Sequence, residues 1–226
     1  MRALRTTGRS IPLLGLAFGL LIATASPASA ATLVARWNMD GTGSTMGDST
    51  GRGHTGALHH VAVRQPGVSG SGYGFSGKPS YVTVPSSGDF SPGSGNFKVT
   101  LAVRFPSVPS SSVADFDLLR RGLSSTAGGS YKLEILRSGR AFCDYRGSSG
   151  EVTVTGSQNL ANNKWHTISC ARVGNSVVLT VDGTSASRSG SIGSITGSGT
   201  LYIGAKDSSG NDQYSGLMDT VSITKG

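Results

Sequence analysis

NNKWHTISCARVGNSVVLTVDG, residues Asn162 to Gly183, is the stretch from which the rest of the chain is read. Beyond Trp165, the residues Ile168, Cys170 and Arg172 fall on one side of the backbone and Thr167, Ser169 and Ala171 on the other. A repeat of two is the mark of an extended strand whose side chains point to alternate faces, and no helix spaces residues this way. Gly174-Asn175-Ser176 then supplies a turn, after which Val177, Leu179 and Val181 alternate with Val178, Thr180 and Asp182. Asp182-Gly183 ends the run with a second turn dipeptide. The stretch is a β-hairpin.

The rest of the composition agrees with an extended-strand protein. Glycine makes up 34 of 226 residues, charged residues 14% and aromatics 7%, the balance of an all-β chain with many tight turns. Arg2, Arg5 and Arg9 precede an apolar run from Ile11 to Ala25, and Ala28-Ser29-Ala30 has the small residues of a cleavage site. Residues 1–30 therefore read as a secretory signal, too short and wrongly flanked for a stable membrane span. The mature chain, residues 31–226, is expected to be secreted and extracellular, with no membrane insertion, and to form one domain, since no linker-like break divides it. Loss of three arginines with the signal leaves 17 basic against 12 acidic residues, a mild excess without the basic stripe or motif that nucleic-acid binding requires.

Cys143 and Cys170 are the only cysteines. An even count in an oxidising compartment favours pairing, and neither C-x-x-C nor a Cys-His spacing offers thiol chemistry instead. Cys143 lies in the strand pattern Ala141-Phe142-Cys143-Asp144-Tyr145, so the bridge is expected to join neighbouring antiparallel strands.

The hairpin pattern W-H-x-(I/V)-x-(C/V), a Gly-Asn turn, then L-x-V-D-G resembles that of laminin-G-like domains in the concanavalin A-like lectin/glucanase group. The opening WNMDGTGSTMGDSTGRGHTGAL from Trp37 is similar to the family's first strand and loop, matching at Asp48, Gly51, Gly53, His54 and Gly56. Gly67 to Pro85 resembles its next run, and Leu201-Tyr202-Ile203-Gly204 with Tyr214 to Ile223 resembles its closing strands. The added cysteines and Gly41, where an acid is common, are departures. The resemblance implies an all-β fold, an antiparallel two-sheet jelly-roll sandwich over residues 31–226. It also implies one structural calcium ion, with Asp219 as side-chain ligand and Asp40 and Asp48 in the same end region. Aspartates in such places equally often cap turns, so Asp219 is either a ligand or a cap.

The fold does not carry a function with it. The E-x-D-x-(x)-E strand of the related glucanases is absent, the only glutamates being Glu134 and Glu151, so the paired acids of glycoside hydrolysis are not found. His166, with no nucleophile elbow near it, reads as a structural hydrogen-bond partner rather than a triad member. Arg120, Arg121, Lys132, Arg137, Arg140 and Arg146 fall within 27 positions that successive strands would bring together. Arg121, Lys132, Glu134, Asp144, Tyr145 and Arg146 are thus the candidate carbohydrate-binding residues, with Tyr145 or Tyr131 as a flat face for a sugar ring. Alternatively the patch is a solvated surface with Glu134 and Asp144 as internal partners. The leading expectation is a non-catalytic carbohydrate-binding or adhesion module for an extracellular glycan, anionic if the arginines engage it. A hydrolase or lyase with acids from separate strands, and a protein-protein interaction module, are the alternatives.

Overall fold

The computed structural model describes residues 1, 3 and 30–226. The export signal expected over residues 1–30 lies, but for Met1, Ala3 and Ala30, outside the described residues. The described residues form sixteen strands: β1 (Thr32–Trp37), β2 (Thr45–Met46), β3 (Gly56–His59), β4 (Ala62–Pro66), β5 (Ser71–Ser76), β6 (Tyr81–Val84), β7 (Phe97–Arg104) and β8 (Asp115–Arg121) in the first half. The second half supplies β9 (Ser130–Leu136), β10 (Ala141–Gly147), β11 (Gly150–Thr155), β12 (His166–Val173), β13 (Ser176–Val181), β14 (Thr184–Ser189), β15 (Leu201–Ile203) and β16 (Ser215–Lys225).

They pair into two antiparallel sheets that pack face to face as a jelly-roll sandwich. The back sheet runs β14-β13-β12-β7-β16-β5-β4, with β1 also paired to β16; the front sheet runs β11-β10-β9-β8-β15-β6-β3-β2. The hairpin expected between Asn162 and Gly183 is β12 and β13, with Ile168, Cys170, Val177, Leu179 and Val181 turned into the core. Trp165 sits just before β12 and is half-buried, whereas Trp37 is wholly buried, its indole N–H donating to the His54 carbonyl at 2.6 Å. Burying an indole is favourable only with such an acceptor.

Cys143 and Cys170 are bonded, with their Cα atoms 5.5 Å apart. The pairing is as expected but its placement is not. Cys143 is on β10 of the front sheet and Cys170 on β12 of the back sheet, so the bridge crosses the sandwich instead of joining neighbouring strands. Both thiols point inward because both positions share the face of core residues on their own strands.

His166 is held by hydrogen bonds at both ring nitrogens. Its Nδ1 lies 2.6 Å from Asp182 Oδ2 and its Nε2 3.0 Å from Asn162 Oδ1, while Thr167 N–H donates to Asp182 Oδ1. These bonds fix the entry to β12 and the turn that leaves β13.

Candidate functional site

The outer face of the front sheet is where charged and aromatic side chains collect. On β9 the residues Tyr131, Leu133 and Ile135 fill the core, so Lys132 and Glu134 point out. On β10 Cys143 and Tyr145 go in, and Phe142, Asp144 and Arg146 come out. Strand β8 breaks the alternation, because its register slips between Asp117 and Leu119. One extra residue in a strand lets positions three apart share a face. Asp117 and Arg120 meet there as a result, with Arg120 Nε donating to Asp117 Oδ1 at 2.9 Å and Nη2 to Glu134 Oε1 at 2.8 Å. The Lys132 ammonium pairs with the same Glu134 oxygen and lies 5.3 Å from the centre of the Phe142 ring.

Asp117 and Glu134 are almost fully buried, at 0% and 1% exposure, and among the described residues Arg120 and Lys132 are their ion-pair partners. Such a network is rigid, and its geometry is set by the bonds it must keep. Burial pushes the Asp117 carboxyl well above the usual carboxylate range, with Arg120 pulling it back. Burial, then the neighbouring Glu151 carboxylate, raises Asp144 to about 7. Asp115 is raised to about 6 by burial and by Glu134 and Asp212.

Two hollows lie on this face. Arg120, Ser130, Lys132, Asp144, Glu151 and Lys206 line one of about 250 Å³. The other, about 530 Å³, is lined by Thr45, Ala57, Thr83, Pro85, Thr200 and Tyr202. Tyr202 stands between them, since on β15 it registers with Arg120 on one side and Thr83 on the other. Its ring lies 6.1 Å from that of Tyr81, which stacks on His59 at 4.5 Å. His59 in turn holds Thr83 Oγ1 at 3.0 Å through Nε2. The sheet therefore carries a short aromatic row beside a charged hollow.

Four of the six expected carbohydrate-binding residues, Lys132, Glu134, Asp144 and Arg146, share this face. Arg146 spans the rim, donating to the Ser124 carbonyl and to Glu151 Oε2. The other two do not belong to it. Arg121 points to the core side, 3% exposed, and its guanidinium donates to Gly199 O, Ser91 Oγ, Ser86 Oγ and Ser87 O. Tyr145 is wholly buried, its hydroxyl 3.1 Å from the carbonyls of Phe97 and Cys170, and it offers no face to a sugar. Tyr131 is buried as well, stacked on Tyr145. Tyr202 and Lys206 are not among the residues expected from the sequence. Tyr202 had a signal, since Leu201 and Ile203 on either side must face inward.

At the far end of the fold, Asp219 is wholly buried and accepts the amides of Val68 and Ser69 on Oδ2, at 2.8 and 3.1 Å. Asp40 Oδ1 accepts the amide of Ser71 at 2.8 Å, so both carboxylates converge on one turn. Among the described residues neither has a lysine or arginine partner. Asp48 is occupied elsewhere, its carboxylate accepting from Arg36 N, Thr50 N and His54 N of its own loop. A buried carboxylate without a counter-charge, beside a second one, fits a hard divalent cation. Asp40 and Asp219 are the side chains that would hold it.

A family model described as the concanavalin A-like lectin/glucanases superfamily matches residues 76–226. No curated protein sequence matches the chain. Among solved structures, the binding domain of paraclostridial mosquitocidal protein 1 superposes with a TM-score of 0.68 at 14% identity, over 85% of this chain and 48% of that one. Domain 4 of AbnA, an extracellular arabinanase of Geobacillus stearothermophilus in complex with arabinotriose, superposes with a TM-score of 0.65 at 15% identity, over 87% of this chain and 93% of that one. The binding domain of botulinum neurotoxin DC in complex with SialylT does so with a TM-score of 0.59 at 13% identity, over 85% and 47%. This chain thus spans about half the length of the two toxin domains. At these identities the likeness is one of fold.

Proposed function

The chain belongs to the concanavalin A-like lectin/glucanases superfamily, and from that premise we propose that it is a secreted, non-catalytic carbohydrate-binding module whose front sheet takes an extracellular glycan. The observation that carries this reading is Tyr202, a half-buried aromatic set between two hollows on the outer face of the front sheet. An aromatic ring with hydroxyl and charged groups on either side is what a sugar needs, a flat apolar face for its C–H groups and polar partners for its hydroxyls. Two similar folds come from proteins described with glycans, arabinotriose on the arabinanase domain and SialylT on the neurotoxin domain.

The face favours a neutral glycan over an anionic one. Arg120, Lys132, Arg146 and Lys206 all have carboxylate partners, in Asp117, Glu134, Glu151 and Asp212. Among the described residues, a uronic acid would meet no unpaired cation in the hollow.

Co-sedimentation with a panel of insoluble neutral and acidic polysaccharides tests the reading. Retention on a neutral polymer, little changed by salt and weakened about tenfold or more in Tyr202→Ala, is the expected result. Retention on none of them would transfer the weight to a protein partner. Hydrolysis is favoured by one observation, the Asp144 carboxyl held near neutrality beside Glu151, the environment of a general acid. Sugar ends released into the same supernatants, and lost in Asp144→Asn, would establish it.

One calcium ion held by Asp40 and Asp219 is part of the same proposal. It would supply the charge that the buried Asp219 lacks and pin the Val68–Ser71 turn to β16.

A further inference from the structure

A second group of carboxylates lies apart from that turn. Asp115 and Asp117 are on the first strand positions of β8, and Asp212 is on the loop that leads into β16. One carboxylate oxygen of each lies within 4.8 Å of the other two. Oxygens bound to one calcium ion at about 2.3–2.6 Å are at most about twice that far apart, so three oxygens at this spacing can share an ion.

The independent observation is that two carboxylate oxygens of this group lack a donor. Asp117 is wholly buried, and while its Oδ1 accepts from Arg120, its Oδ2 accepts nothing. Asp115 Oδ1 is likewise shut off from solvent without a donor. Leaving a buried carboxylate oxygen bare costs more than most single contacts contribute, and proteins rarely tolerate two side by side. The nearby cations leave Asp117 Oδ2 and Asp115 Oδ1 without a donor. Arg120 holds Asp117 Oδ1 and Glu134, Lys132 holds Glu134, and Lys206 Nζ reaches Asp212 Oδ2 at 2.9 Å. A backbone bond from Asp117 N to the Asp212 carbonyl keeps loop and strand in register, so the three side chains are held together without the ion.

We propose that Asp115, Asp117 and Asp212 form a calcium-binding site, which fastens the β15–β16 loop to the start of β8 beside the charged hollow. All-oxygen ligands of this kind select a hard cation over zinc, and three carboxylates from a strand and a loop suit the flexible coordination of calcium better than the strict octahedron of magnesium. The site is distinct from the Asp40–Asp219 turn and shares no residue with it.

Calorimetric titration of the chelator-treated full chain with calcium chloride, repeated with magnesium chloride, tests the site. Asp115→Asn, Asp212→Asn and, as the separate control, Asp40→Asn are titrated alongside. The expected result is a calcium-binding event that Asp115→Asn and Asp212→Asn each weaken about tenfold or more and that persists in Asp40→Asn. Both replacements are at half-buried positions and keep side-chain size, and circular dichroism of each variant checks that it is folded. No calcium heat in the wild-type chain, or heat unchanged in both variants, would overturn the proposal and leave protons to neutralise the cluster. Heat abolished by Asp40→Asn alone would do the same, while supporting the other site.

Discussion

Replacing Asp144 by asparagine should make the protein more stable at pH 8 than the wild type, by an amount that vanishes in acid. Asp144 is 3% exposed on β10, beside Glu151, and its carboxyl is raised from an ordinary 3.8 to about 7. In the unfolded chain the group gives up its proton near 3.8; in the folded protein it keeps that proton until about 7. Between those values the native state binds more protons than the unfolded state, so stability falls as pH rises, and above about 7 the loss is complete. At about 1.36 kcal/mol per pH unit the ceiling is roughly 4 kcal/mol. Part of it belongs to Glu151, since two acids this close titrate as a pair, and about 2–4 kcal/mol is a fair expectation for the single replacement. Asparagine imitates the protonated acid and cannot ionise, so the variant escapes the loss. Urea unfolding of both proteins at fixed ionic strength from pH 4 to pH 8 measures it, because titrations common to the two cancel in their difference. Parallel stability curves would refute the reasoning. So would a wild type that gains on the variant as pH rises, which would mean that Lys132 holds Asp144 ionised.

The cross-sheet disulfide closes a loop of 27 residues, and Cys143→Ala/Cys170→Ala should lose about 3–4 kcal/mol by chain entropy, read as a lower thermal midpoint. An unchanged midpoint would mean that the core alone holds the sheets together. Arg121→Met strands four acceptors around a buried guanidinium position and should cost about 2–4 kcal/mol in denaturant unfolding. Glycan retention measured well below the midpoint should stay as it was; retention lost without a stability change would return Arg121 to the binding site. Asp219→Ala should lower the unfolding midpoint measured in excess calcium, and a midpoint equal with calcium and with chelator in the wild type would count against an ion at Asp40 and Asp219.

Alternation made most of the fold legible, and the same rule, followed further, would have corrected the site. Once Cys143 is taken as bonded inside the sandwich, Tyr145, two residues on, must point inward with it, and Asp144 and Arg146 outward. A stacking role for Tyr145 is therefore inconsistent with a bridge across the sandwich, though not with the neighbouring-strand bridge expected from the sequence. Tyr202, flanked by inward Leu201 and Ile203, was readable by the same step. Arg121 is different, because an arginine on an inward position looks like a surface residue until the loop carbonyls and serines that receive it are placed. What alternation cannot reveal is a register slip. Strict period two puts Asp117 and Arg120 on opposite faces of β8, and only the bulge between Asp117 and Leu119 brings them together. The same limit applies to the disulfide, whose two strands sit in different sheets because β12 pairs with β7 and β10 with β9. Those pairings are fixed by the whole order of strands, which no local pattern contains. In the Asp115–Asp117–Asp212 group alternation puts the first two on one face, but the third comes from a loop ninety-odd residues later. A D-x-D on a strand is common and by itself says little; its meaning here comes from the two oxygens that the fold leaves without a donor.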